Sequence, residues 1–456
     1  MTTRNDRLAR GECSVDLGPL LDLLDARERD VQQLQQQLVA VNERLAVRPS
    51  RTAVNVVDEF GLVENSHRDA ANNRARLQAA IDAGPQRLPW QWQGAASTAT
   101  AILIDDTLVL PTDSGRCWLG MGGDAPGGTG GGKCLGSHLT LRVTGPEGRG
   151  KTIVRNNGLW TRTVGLQFSF RILTKQDAYG SVCYHVATNY GNKVATGKHK
   201  FDSCSFGYAA DAGILCGRDL TGFRSGDNDW PGRTDNHADS IETDHCNITH
   251  CANAILVRNE QSVMHAHRHL AATGITEAVF NFDAGGKLTA DSIEIAGWSG
   301  SQCLLRLGKG VASNNSPFEV TGVSFDGGDN TRNPQLVVTD WLGRYAQARI
   351  DIRGVCLNRA KEHDDLPLVD VQSMTDVRIS GVSGTPIWPG SLLLRESGGK
   401  KPFLLIDFSY VAYKDNPREL LHPACSPGCV VELRNCRRWG EDYVPHTRIV
   451  VGEGEA

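Results

Sequence analysis

Four stretches decide the fold: Ile293-Glu-Ile295-Ala-Gly297-Trp-Ser299, Phe318-Glu-Val320-Thr-Gly322-Val-Ser324, Ile350-Asp-Ile352-Arg-Gly354-Val-Cys356 and Val377-Arg-Ile379-Ser-Gly381-Val-Ser383. Each has two apolar residues in alternation, a glycine two further on, then an apolar and a small residue. Successive copies start 25, 32 and 27 residues apart. Leu404-Leu-Ile406-Asp-Phe408-Ser-Tyr410 follows 27 later without the glycine, and Ile241-Glu-Thr243 lies 52 before the first copy. Strict alternation reads as a strand with one face buried, and the glycine as a corner where the backbone bends.

A second apolar run follows most copies: Cys303-Leu-Leu-Arg-Leu307, Leu336-Val-Val338, Leu368-Val-Asp-Val371, Leu392-Leu-Leu394 and Val430-Val-Glu-Leu433. Two or three short strands per rung, with polar corners between, predict an all-β parallel β-helix. One rung cannot bury its own core, but stacked rungs can. A β-sandwich of hairpins is the rival, and the scarcity of Asn-Gly turns between the runs argues against it.

The N-terminus carries a different rhythm. Leu17, Leu20, Leu24, Arg27, Val31, Leu34, Leu38, Val41 and Leu45 follow 3,4 spacing, with Pro19 near the start and Pro49 at the end. This a/d seam predicts a coiled coil of three or more copies. The alternative is one amphipathic helix docked on its own domain. The expected layout is a coiled-coil stem over residues 1–50, a linker and capping helix over 51–100, the β-helix over 101–440 and a tail over 441–456.

The chain has 456 residues, 50 glycines, 13 cysteines and a formal net charge of −4. That balance gives no electrostatic case for nucleic acid. No apolar run is long enough to cross a membrane, and MTTRNDRLARGEC predicts no signal peptide. The scattered cysteines read as reduced core residues. Cys425, Cys429 and Cys436 lack a matching fourth ligand for zinc. Gly145-Pro-Glu-Gly-Arg-Gly150-Lys151-Thr152 fits a P-loop letter for letter, but Ile153-Val-Arg-Asn that follows reads as a strand, so it is taken as a corner loop. No cofactor is expected.

Val54-Asn-Val-Val-Asp-Glu-Phe60-Gly61, Arg68-Asp69 and Leu77-Gln-Ala-Ala-Ile81-Asp82-Ala83 resemble the entry segment of the pectate-lyase-like right-handed β-helix superfamily. Asp106-Thr-Leu-Val-Leu-Pro111 and Leu119-Gly-Met-Gly-Gly123 resemble its first rungs. The Gly-Asp-Gly loop usual in that family is missing. The likeness implies a right-handed, single-stranded parallel β-helix with a helix across its N-terminal end. Bacteriophage tailspikes share this order of stem, cap and shaft. It therefore implies a homotrimer, made without a signal peptide in a host cytoplasm and carried on a virion, that joins virion proteins through its stem and meets host surface polysaccharide. Glycan binding, polysaccharide cleavage by a lyase or glycosidase, and a purely structural fibre all occur on this fold, so a site must decide.

The richest polar stretch, from Ser225 to Asp239, lengthens one rung. Asp227, Asp229, Asp239 and Glu242 are the candidate catalytic carboxylates, because glycoside cleavage needs a placed pair. Trp230, Arg233, Asp235, His265 and His267 are the candidate substrate contacts, since Trp stacks on a sugar ring. A solvated Asp/Asn-rich loop is the plain alternative. His265, His267 and His269 alternate, which places all three on one face. That face is either an internal polar stack, an outer patch one rung from Glu242 and Asp244, or a metal site.

Overall fold

The computed structural model describes the strands and turns between Ala53 and Gly452; residues 1–52, 81–100, 121–138, 144–151, 171–180, 187–197, 218–239, 453–456 and several shorter loops lie outside the described residues. The heptad seam is among these, as is most of the segment expected to cap the shaft. Residues 53–456 form one unit.

That unit is a parallel β-solenoid. The chain runs through Phe318–Asp326 on one long sheet, crosses to Gln335–Thr339 on a ten-stranded sheet, and returns to Ala348–Asn358 beside its first strand. Every pairing between described strands is parallel except one. Thr447–Val450 runs antiparallel to Val430–Arg434 and covers the last open edge of the long sheet. Parallel pairing of each rung with the next excludes the hairpin sandwich.

Side-chain columns run along the interior. One reads His199, Ile241, His265, Leu288, Phe318, Ile350, Val377, Leu404 and Val431. Its neighbour reads Phe201, Thr243, His267, Ala290, Val320, Ile352, Ile379, Ile406 and Leu433. From Phe318 onward nearly all are at most 1% exposed. Each buried Ile, Leu or Phe contributes about 1.5–3 kcal/mol, so stacking supplies what a single rung lacks.

A third column explains the glycine of the repeat. Ser203, His245, His269, Ser292, Gly322, Gly354, Gly381, Phe408 and Asn435 all have positive φ, between 46° and 70°. Each long strand bends there, and the residue after it turns back into the core. Cys204, Cys246, Leu270, Ile293, Val323, Val355, Val382, Ser409 and Cys436 fill those inward places, all at most 2% exposed. Gly322, Gly354 and Gly381 stack on one another through their backbones.

This column corrects the register of the first repeat. Phe318 pairs with Leu288, and Ile293 pairs with Val323. The corner of that rung is Ser292 (φ 58°), not Gly297. Ile241 pairs with His265 and His265 with Leu288, giving turns of 24 and 23 residues where 26 was expected. Val430–Arg434 also belongs to the long sheet, beside Phe403–Asp407, and is the next copy of the first run and not of the second.

Among the described residues near the start, Ala53–Asn55 pairs with Ala101–Ile104. The Asn73 side chain accepts from the Val63 N–H (2.9 Å) and donates to its carbonyl (2.7 Å). Leu62 and Leu77 are buried against the main core. Thr152–Asn156 is a strand, so no helix N-terminus follows the P-loop-like glycines. Among the described residues no helix is long and apolar enough to cross a membrane.

Candidate functional site

Of the residues singled out in the sequence, Asp227, Asp229, Trp230, Arg233, Asp235 and Asp239 lie outside the described residues. Glu242 is half-buried on the outer face of Ser240–Asp244, in register with Lys200 and Ala266. His265 and His267 point inward, 3% and 0% exposed. Neither is part of an outward face.

The interior pair is an internal polar stack. His265 Nε2 lies 3.1 Å from Ser262 Oγ, which lies 3.2 Å from Cys216 Sγ. His267 Nδ1 lies 2.9 Å from Thr243 Oγ1. The rings pack against Phe282 and Phe280, with centroids 5.1 Å apart in each case. Among the described residues, His265 Nδ1 and His267 Nε2 have no hydrogen-bond partner. Burial pushes the His265 imidazole down to about 4, against a smaller upward pull from the Ser262 backbone. Burial likewise lowers His199 to about 3 and holds His267 well below the ordinary histidine value. Charging any of them would put a cation among aromatic rings.

His269 points the other way. Its positive φ breaks the alternation, so the three histidines do not share a face. On the outside it meets Asp244 and His245 of the preceding rung. Asp244 Oδ1 is 2.9 Å from His245 Nδ1 and 3.1 Å from His269 Nδ1. The two rings stack with centroids 4.3 Å apart and planes 22° from parallel. Partial burial pushes the Asp244 carboxyl up, but the His269 hydrogen bond and the charges of His245, His269 and Lys200 outweigh it and hold it low. Asp202, one rung earlier, is engaged by Arg162 at 2.8 Å and Lys200 at 3.6 Å.

A second outward group lies near the C-terminal end and was not anticipated. Phe408 is 66% and Tyr443 65% exposed, and Tyr410 is 37% exposed. Arg437 pairs in register with Tyr410, donates to the Tyr443 hydroxyl at 3.4 Å, and lies 5.1 Å over the Tyr443 ring. Beside Phe408 in the chain, Asp407 accepts from Arg378 (3.1 Å) and from Asn435 (3.0 Å). Phe408 stands at a corner of left-handed φ, where the previous rung has Gly381. A bulky aromatic there costs about 1–3 kcal/mol, and its side chain is left in solvent. Exposed ring faces set among Arg, Asp and Asn can stack on the C–H face of a sugar and bond its hydroxyls.

Burial raises Asp370, even though Arg395 contacts its Oδ1 at 2.6 Å, and Asp340 adds to the rise. Cys425, Cys429 and Cys436 show no shared ligand geometry: Cys425 donates to the Leu392 carbonyl, and Cys436 to those of Ile406 and Arg434. Burial raises all three thiols.

The chain matches no protein-family model, no curated protein and no solved structure.

Proposed function

We propose that this chain is a virion appendage of the tailspike or fibre type, whose solenoid binds host surface glycans. The observation that carries this reading is the exposed ring of Phe408 and the Tyr410–Arg437–Tyr443 cluster, both near the C-terminal end of the solenoid. Exposed rings rimmed by polar groups mark an interaction surface when they fall close together, and Phe408, Tyr410 and Tyr443 all lie near one end of the solenoid. A solenoid also suits a polymer ligand, because its surface repeats along one axis as a polysaccharide does. The shaft is read as a right-handed, pectate-lyase-like β-helix, on the entry motifs of residues 54–83. The heptad seam of residues 17–45 makes it a homotrimer joined to the particle through its stem. Light scattering on the intact chain is expected to give three times the chain mass, and a monomer at micromolar concentration would remove the trimer.

The binding claim is tested by calorimetry against a panel of capsular and lipopolysaccharide glycans. Phe408→Gly installs the residue that this corner carries at 381, so it keeps the fold while deleting the ring. It is expected to weaken binding about tenfold, in line with 1–1.5 kcal/mol for one aromatic contact. Arg437→Ala is expected to do at least as much, since it removes both a hydrogen-bonding cation and the group that holds the Tyr443 ring. Unchanged affinity in both variants contradicts the site.

Cleavage by a lyase or glycosidase on the same scaffold is the second reading, and Asp370, which burial raises despite its contacts with Arg395, is the acid to test. Release of new reducing ends from a bound glycan, lost in Asp370→Asn, would establish it. Loss instead in Asp239→Asn or Glu242→Gln would place the chemistry on the rung with the long insertion.

A further inference from the structure

The corner formed by Asp244, His245 and His269 goes beyond glycan binding. We propose that it is a binding site for a divalent transition-metal ion of the zinc class, clamping two adjacent rungs of the solenoid.

The donor set is two imidazole nitrogens and one carboxylate oxygen. Imidazole suits zinc, copper, nickel and iron, whereas calcium and magnesium take oxygen sets. The three donor atoms lie within 4.8 Å of one another. Asp244 Oδ1 stands 2.9 and 3.1 Å from the two Nδ1 atoms. Ligands bound at about 2.0–2.2 Å to one ion are separated by about 3 Å or slightly more. Two of the three donor–donor separations therefore already stand near the edge length of a coordination polyhedron, and the third is within 4.8 Å.

The placement of the histidines adds a second, independent observation. Both occupy the left-handed corner, at φ 51° and 48°, where later rungs carry Gly322, Gly354 and Gly381. Nothing in packing calls for imidazole there, since the side chains are 65% and 49% exposed. What the corner does is turn two rings from adjacent rungs onto one carboxylate, with the rings stacked 4.3 Å apart. The charged groups around the cluster are Lys200 and Asp202 one rung before and Arg268 beside Asp244 in register. Asp202 is occupied by Arg162 and Lys200, so it does not compete for the ion. Three protein ligands on an exposed corner leave open positions for water or an exchangeable ligand.

The test uses the intact chain and zinc chloride, with His245→Gly and His269→Gly as variants. Glycine is native to this corner at Gly322, three rungs after His245 and two after His269, so both variants are expected to fold and to melt no lower than wild type without metal. Calorimetry should give one saturable site per chain in wild type. Its affinity should fall at least tenfold in each variant and in Asp244→Asn. Zinc should raise the melting temperature of wild type alone, and magnesium or calcium should not. Cobalt substituted at the same stoichiometry should show no thiolate-to-metal charge transfer, which separates this corner from the cysteines. No saturable zinc binding below millimolar concentration, or binding retained in both glycine variants, overturns the proposal.

Discussion

Between pH 7 and pH 5 the solenoid is expected to lose about 4 kcal/mol of stability, from two buried histidines alone. His199 and His265 are 1% and 3% exposed, and burial depresses them to about 3 and about 4. In the unfolded chain both titrate near about 6.5. Below that value the unfolded state binds protons that the native state refuses, so stability rises with pH across this window. It is fully present above about 6.5 and is lost progressively as pH falls toward the folded values, at about 1.4 kcal/mol per pH unit and group. The carboxylates that native contacts hold low, Asp244 and Asp351, respond only in more acid solution. Urea midpoints at pH 7, 6 and 5 measure the slope. His265→Leu supplies the residue that the next rung carries at 288, and it should remove about half of the loss. An identical slope in wild type and a His199→Leu/His265→Leu variant would contradict the buried, neutral assignment.

Ile352→Asp is expected to prevent folding. Ile352 is 0% exposed, between Val320 and Ile379 in a continuous apolar column. The change removes an apolar side chain worth about 1.5–3 kcal/mol and buries an unpaired carboxylate at a cost of several kcal/mol more. Its neighbour Asp351 points outward, as the alternation predicts. It is nevertheless only 2% exposed, because Arg353 folds over it with contacts of 3.0 and 2.5 Å. Those hydrogen bonds are the main reason its carboxyl is held low. Asp351→Ala should therefore cost about 1 kcal/mol, not nothing. Soluble yield and thermal melting separate the two variants, and comparable tolerance of both would show the inside/outside register to be wrong.

The rungs from Phe318 onward were legible because they use the plain device of alternating Ile, Val and Phe followed by glycine at the corner. Earlier rungs use other residues for the same work. Ser292, His269, His245 and Ser203 take the left-handed conformation without being glycine. A reading that searches for glycine therefore slides five residues to Gly297. The histidine faces were ambiguous for the same reason. Alternation holds through His265 and His267 and fails at His269, where the backbone turns. The likeness of His269 to a partner of Asp244 was within reach of the sequence, since one rung separates them.

The aromatic group at the C-terminal end had a signal that went unused. Leu404-Leu-Ile406-Asp-Phe408 keeps the repeat but lacks its glycine. A missing glycine at a position of obligatory left-handed φ marks a residue retained in spite of backbone strain. Tyr443 could not be joined to Arg437 by pattern, because their contact depends on the path of the chain after the last rung. The carboxylates of 227–239 lie outside the described residues, so the structure does not bear on them.

Hydroxyl-radical footprinting of the intact chain, with and without a glycan it retains, tests the recognition claim most directly. Phe408, Tyr410 and Tyr443 are exposed and radical-reactive, and Met264, 51% exposed on a distant rung, serves as the internal control. Glycan is predicted to protect the three aromatics and to leave Met264 unchanged. Equal labelling of Phe408 and Tyr443 in the free and glycan-bound protein would contradict the assignment of this face.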